Sequence, residues 1–229
     1  MAPRVEPPPA DEPPTPEAPP APGEVGAAAA WYLRPDGAPA IVVEVRSQEG
    51  AGPRSGAVER VRSMLAELTG KPVDVVSGDV PGERTDWTAD DLRAAADAGT
   101  APSASQGVLR LLFLRGGFVE NERAVGVAVR SDVAAVFAER VEEAAGVFAD
   151  PRAVEDAVAM HEVGHLLGLV DLVLATGRAD PEHPGHSPNR GSVMYHAVES
   201  TLLGTILSGG PPRDFDADDL ADLAAIRDA

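Results

Sequence analysis

The stretch that decides the fold is HEVGHLLGLVD, residues 161–171. His161 and His165 are four residues apart, so on a helix they project from the same face, one turn from each other. Two imidazole nitrogens at this spacing can reach one metal ion. Glu162 follows the first histidine, where it can accept a proton from a metal-bound water without occupying the metal. The string H-E-x-x-H therefore predicts a helix that holds a catalytic zinc ion.

The flanking residues predict where this helix begins and where the chain turns. Asp150 is a good capping residue, and Pro151 is tolerated in the first helical turn. Gly168 can adopt a positive φ, which ends the helix and turns the chain sharply. A catalytic zinc site needs a third protein ligand and an open position for water. Such a turn can bring a side chain three residues later back to the metal, and Asp171 is the residue in that place.

This pattern resembles the metzincin clan of metallopeptidases, whose H-E-x-x-H-x-x-G-x-x string continues with His or, in some members such as the snapalysins, with Asp. The resemblance implies that one zinc ion is bound by His161, His165 and Asp171, with Glu162 as general base. The implied reaction is peptide hydrolysis by a zinc-activated water. Glu162 takes the proton of this water and returns it to the leaving amine.

Two later segments resemble further parts of the same clan. Ser192-Val193-Met194-Tyr195 is similar to the Met-turn of the matrixins, and residues 215–226 are similar to the C-terminal helix that closes matrixin-like domains. In metzincins an edge strand above the active-site helix pairs with extended substrate. Residues 124–129 are the candidate for that strand, by addition of a peptide to the sheet edge.

The segment that follows Asp171 leaves other third ligands open. It is longer than we expect of a simple matrixin, and it contains Glu182, His183 and His186. Either histidine could replace Asp171, or both could bind a second ion. A glutamate ligand of the gluzincin kind is disfavoured because it should lie on a second helix, whereas Glu182 lies between prolines. His196 stands where astacins place a tyrosine near the metal, and as an isolated histidine it is predicted to be structural or solvated.

Composition restricts the class of protein. The 229 residues suit one catalytic domain with an appendage, and the absence of Cys excludes disulfides, thiolate metal sites and a cysteine nucleophile. A net charge of -18 argues against binding to nucleic acid or anionic membranes. Neither an apolar leader nor an apolar run of roughly 18 residues is present, so we expect no signal peptide and no membrane insertion. Localisation stays unknown: most metzincins are exported, while the sequence at face value reads as cytoplasmic.

The beginning of the chain differs in composition from the rest. Residues 1–24 contain 10 of the 22 prolines and very few apolar residues. Such a segment cannot bury enough apolar surface to offset the entropy of ordering it. We therefore predict a disordered Pro-rich tether at 1–30 and a zinc metallopeptidase catalytic domain at 31–229.

Hydrophobic patterns in the second part alternate between strand and helix periods. The α/β (α+β) class with a twisted mixed sheet follows from this order. The resemblance to metzincins implies that the sheet is metzincin-like and that the domain also has an active-site helix, a Met-turn and a C-terminal helix. The region 132–148 fits either a helix or a strand. The other predicted elements are strands at 41–45, 73–76, 108–114 and 124–129, a helix at 57–69 stopped by Gly70, and a helix that Thr88 and Asp91 open with a capping box.

The sequence thus predicts a zinc-dependent endopeptidase with one catalytic ion, which acts on peptides or proteins as a monomer. One alternative is a non-catalytic zinc-binding or adhesion module on a Pro-rich stalk. Glu162 argues against it, because ligation alone does not need that carboxylate. A second alternative is a metal-dependent hydrolase of non-peptide substrates, which only substrate trials would separate from a peptidase.

Overall fold

The computed structural model describes residues 19–54, 56–99, 106–147, 149–203 and 210–229. Five of its strands form one sheet in the order β2-β1-β4-β7-β6. The first four are parallel, and β6 runs antiparallel to β7 at one edge. A parallel ladder of β3 and β5 stands apart from this sheet. The strands are β1 (Ile41–Ser47), β2 (Val73–Asp79), β3 (Asp86–Trp87), β4 (Gly107–Leu114), β5 (Gly117–Phe118), β6 (Gly126–Arg130) and β7 (Val133–Phe137).

Helices cover both faces of the sheet. One apolar core lies between the sheet and α1, α2, α4, α5 and α6, while α3 closes a smaller core on the opposite face. None of the helices in the described ranges has the length and apolarity needed to cross a membrane. The predicted mixed α/β class is confirmed. The helices are α1 (Ala29–Leu33), α2 (Ala57–Thr69), α3 (Ala89–Asp97), α4 (Ala138–Ala145), α5 (Pro151–Leu166) and α6 (Ala217–Asp228), with a 3-10 helix at His196–Glu199.

Local signals placed several elements correctly. α2 ends at Gly70, which adopts the left-handed conformation with φ of 66°. The capping box of Thr88 and Asp91 opens α3. Residues 132–148, whose pattern fits either a helix or a strand, contain one of each, since the fully buried strand β7 is followed directly by α4. The apolar run of β7 and the helical spacing of apolar residues in α4 are adjacent in the sequence, so hydrophobic periodicity alone does not separate them.

Residues on the N-terminal side of the predicted boundary at residue 31 contact the domain. Gly23 pairs with Ser131 next to the sheet edge: its amide donates to Ser131 Oγ at 3.1 Å, and its carbonyl accepts from the Ser131 amide at 3.0 Å. Ala28 and Ala29 are buried in the main core. Residues 19–30 thus pack on the domain because their apolar residues lead into α1, while residues 1–18 of the predicted tether lie outside the described residues.

A truncation series should separate these two parts of the predicted tether. Removal of residues 1–18 is expected to leave the melting temperature unchanged. Removal of residues 1–28 also deletes both hydrogen bonds between Gly23 and Ser131, each worth about 1 kcal/mol. We expect the melting temperature to fall by roughly 4–8 °C in the second case. Identical thermal melts of the two shortened chains would show that residues 19–28 contribute nothing to stability.

Candidate metal centre

Helix α5 carries the H-E-x-x-H string and begins as predicted. The Asp150 side chain accepts a hydrogen bond from the amide of Arg152 at 3.0 Å, and Pro151 is the first helical residue. The helix packs against β6 and β7, which buries His161 completely and leaves His165 only 8% exposed. Their Nε2 atoms lie 3.0 Å apart. Local helix geometry thus directs two imidazole nitrogens at one point in the interior.

Two residues from the following loop and the 3-10 helix complete a group around that point. The ring of His186 lies 5.2 Å from the ring of His161 and 5.3 Å from that of His165, centroid to centroid. The Glu199 carboxylate approaches His186 Nε2 at 3.2 Å and His161 Nε2 at 3.6 Å. One ligand atom from each of these four residues lies within 4.8 Å of the other three. Three imidazoles and a carboxylate therefore converge on a volume that suits one ion.

Asp171, the predicted third ligand, lies outside this group. Gly168 has a positive φ of 82° as expected, but Val170 and Asp171 also adopt left-handed conformations with φ of 58° and 63°. The Asp171 carboxylate instead accepts hydrogen bonds from the amide and hydroxyl of Thr176, both at 2.8 Å, and from the Gly177 amide at 3.1 Å. Burial acts to raise the pKa of Asp171, but these hydrogen bonds outweigh it and lower the pKa. The carboxylate stabilises its own loop.

The remaining candidates from the long segment have different surroundings. Glu182 is exposed, and its amide donates to the side chain of Asp180. His183 lies away from the central group, with its ring stacked on that of His196. His196, for which the sequence predicts a structural or solvated role, lies with Asp180 and His183 in a second group of possible ligand atoms.

A tight turn beneath the helix orients the first histidine. His161 Nδ1 lies 2.8 Å from the carbonyl oxygen of Val193, so a proton on Nδ1 donates to that oxygen and leaves the lone pair of Nε2 directed at the centre. Met194 is fully buried, and its Sδ would lie 2.4 Å from a Cβ atom built on Gly164. Only a residue without a side chain at 164 permits this close contact between turn and helix.

The C-terminal helix holds this turn in place. Ser192 Oγ donates to Asp219 Oδ2 at 2.5 Å and accepts from the Met194 amide at 2.8 Å. Asp219 is the third residue of α6 and also forms the capping box with Asp216. The expected C-terminal helix is present, and its first turn is connected through Ser192 to the turn that orients His161.

Glu162 is buried completely beside the edge strand. A Cβ atom at Gly126 in β6 would lie 2.6 Å from Glu162 Oε1, so the glycine provides the space that the carboxylate occupies. Burial raises the pKa of Glu162 well above its usual value, and the charge of Glu199 raises it further, while the backbone of Ala128 opposes the shift. The proton affinity of this carboxyl group is therefore high.

Glu199 has the opposite electrostatic character. Burial alone would raise its pKa, but the imidazoles of His161 and His186 lower it well below the usual range. Two neighbouring carboxylates with pKa values shifted in opposite directions can take different roles in acid-base chemistry. Glu199 is not recognisable as a site residue in the sequence, because no spacing rule connects it with the helix motif.

The donor set fits a zinc ion. Burial, followed by the charges of His161 and His186, lowers the pKa of His165, which favours the neutral form that binds metals. His165 Nδ1 is buried and has no hydrogen-bond partner among the described residues. Imidazole and carboxylate groups are the ligands that zinc takes in proteins that lack thiolates.

The predicted substrate strand corresponds to β6, which forms one edge of the sheet and packs over α5. The segment before it is tied to the metal centre, since the Val125 amide donates to the carbonyl oxygen of Glu199 at 2.7 Å. This contact places the Glu199 side chain between the sheet edge and the histidines. β6 therefore runs past the candidate centre at one edge of the sheet, where the side chain of Arg93 donates to the Val129 carbonyl oxygen at 2.9 Å.

Comparisons with known proteins add a structural similarity to this geometry but no family match. No protein-family model matches the chain, and no curated protein sequence matches it. Among solved structures, it is similar to the crystal structure of archaemetzincin from Archaeoglobus fulgidus complexed with malonate. The TM-score is 0.45 and the sequence identity 16%, over 80% of this chain and 99% of that chain.

Proposed function

We propose that the protein is a zinc-dependent endopeptidase whose single catalytic ion is bound by His161, His165 and His186. The convergence of these three imidazoles within 4.8 Å, beside the buried carboxyl group of Glu162, is the observation that carries the proposal. His186 takes the place that the sequence had suggested for Asp171, whose carboxylate is occupied by its own loop.

Zinc, when bound, supplies a Lewis acid that polarises a carbonyl group and lowers the pKa of water to about 7. The chain supplies the proton transfers. A carboxylate oxygen of Glu162 accepts the proton of the attacking water, and the same carboxyl group then donates it to the leaving amine nitrogen. The raised pKa of Glu162 brings it closer to the operating range of a general base at neutral pH.

Other parts of the site have supporting roles in this proposal. The turn at Ser192-Val193-Met194-Tyr195 serves as the Met-turn, because it orients His161 and packs under α5. β6, the last strand of the sheet, binds an extended peptide by strand addition, which aligns the scissile bond along the sheet edge. The substrate is therefore a peptide or protein, and we expect the protein to act as a monomer.

Glu199 supports a second candidate function. Four protein ligands without an open position characterise structural zinc sites, whereas catalytic sites keep one position for water. The Glu199 carboxylate lies close enough to His161 and His186 to act as a fourth ligand. With this residue on the metal, the centre would be closed, and the protein would be a zinc-binding module without peptidase activity.

A peptide-library assay on the zinc-loaded protein separates the two candidates. For the peptidase we expect cleavage that a chelator abolishes and added zinc restores. A closed centre predicts no cleavage of any library peptide. It also predicts that Glu199→Ala weakens zinc binding as strongly as the loss of a histidine ligand. That pair of results would refute the proposed peptidase.

A further inference from the structure

The five histidines of the chain fall into two groups. Three of them form the proposed catalytic centre. The other two, His183 and His196, lie with Asp180 in a second group whose ligand atoms are all within 4.8 Å of one another. The proposed peptidase chemistry uses none of these three side chains.

The second group contains an unsatisfied nitrogen atom. Asp180 Oδ2 lies 3.0 Å from His183 Nδ1, and the rings of His183 and His196 stack with centroids 3.5 Å apart and planes inclined by 4°. His196 Nδ1 is buried and has no hydrogen-bond partner among the described residues. Buried polar atoms normally have a partner, so this nitrogen calls for a donor or a cation. An Asp–His ion pair alone would account for Asp180 and His183 but would leave His196 Nδ1 unpaired.

We propose that Asp180, His183 and His196 form a second, structural binding site for a divalent transition-metal ion such as zinc. Two imidazoles and one carboxylate are a donor set that zinc and its neighbours in the first transition row accept. A ligating imidazole would hold the ion near its ring plane, so the two parallel rings would have to turn apart for both to bind one ion.

This second ion would act on the loop that supplies His186. The Asp180 amide donates to the His186 carbonyl at 2.7 Å, and the His186 amide donates to the His183 carbonyl at 3.1 Å. His183 and Asp180 lie on this loop, whereas His196 is the first residue of the 3-10 helix that ends at Glu199. An ion between them cross-links the loop to that helix and holds His186 toward His161. The effect of this ion on the catalytic centre, through His186, rests on the proposed function. The presence of the ion does not.

Metal counting in variants tests the second site without any activity assay. The full chain is loaded with zinc, freed of weakly bound ions and measured by elemental analysis. We expect two ions in the parent, one in His161→Ala/His165→Ala, and none when His196→Ala is added to that pair. Asp180→Asn, which keeps the shape of the side chain, should also lose the second ion in the double-variant background. Glu182→Gln serves as the matched control, because Glu182 is an exposed neighbour outside the group.

The outcomes separate this inference from the proposed function. One ion in both the parent and the double variant, and none after His196→Ala, would support the second site and contradict the catalytic centre. The second site is refuted by a double variant that retains no zinc, provided that circular dichroism shows it folded. It is equally refuted by an ion that persists unchanged in both the His196→Ala and the Asp180→Asn backgrounds.

Discussion

Glu162→Gln should abolish peptide hydrolysis while zinc stays bound and the fold remains intact. The amide keeps the size of the buried side chain beside Gly126, but it cannot accept and return a proton. General acid-base catalysis typically contributes about 10²–10⁴ in rate, and the loss should be at least that large. Turnover of a library-derived peptide, measured together with zinc content, provides the test.

Glu155→Gln is the matched control for that substitution. Glu155 lies on the same helix, is equally buried, and forms an ion pair with Arg54 at 2.6 Å, away from the histidines. Its replacement should lower stability without a comparable loss of turnover per folded molecule. Hydrolysis by Glu162→Gln within a few-fold of the parent would refute Glu162 as the general base.

His186→Ala is expected to weaken zinc binding, whereas Asp171→Ala leaves it unchanged. His186 contributes a ring to the central group, while the Asp171 carboxylate accepts hydrogen bonds from Thr176 and Gly177. Outer residues that only orient a ligand cost about 10–100-fold in metal affinity when replaced, so loss of the ligand itself should exceed that range. Competition with a chromophoric chelator measures both affinities on the same scale.

The opposite result for the two variants would support Asp171, and not His186, as the third ligand. Full zinc affinity in His186→Ala, combined with its loss in Asp171→Ala, would mean that the turn after Gly168 rearranges when metal binds. Asp171→Ala is expected to have a different effect, a lower melting temperature, because three hydrogen bonds within its loop are removed.

The parts of the site that could be predicted from sequence are those fixed by local geometry. His161, Glu162 and His165 lie on one helix, so their relative positions follow from helical spacing and from the Asp150 and Pro151 start. The third histidine depends on the path of a long loop, and two candidates at 183 and 186 had equal standing in the sequence. Only the tertiary structure places His186 beside His161 and His183 beside His196.

The prediction for Asp171 depends on the path of the turn after Gly168, and the sequence indicates the backbone conformation of only one residue in that turn. Gly168 signalled a left-handed residue, but nothing signalled the same conformation at Val170, where a β-branched side chain disfavours it. Those additional left-handed residues direct Asp171 into its own loop. Similarly, the Pro-rich composition of residues 1–24 hid the pairing of Gly23 with Ser131, because a single edge contact leaves no periodic pattern.

The hydrogen bond between Ser192 and Asp219 has a consequence for the order of events during synthesis. At about 5–20 residues per second, Asp219 is translated roughly 3–11 s after His165. During that interval the nascent chain carries the histidine pair, but the turn with the Val193 carbonyl has no anchor in α6. A ribosome-bound chain therefore carries the proposed ligands without the contact that orients His161, and the proposed centre becomes organised only after α6 has been made and has packed on the turn.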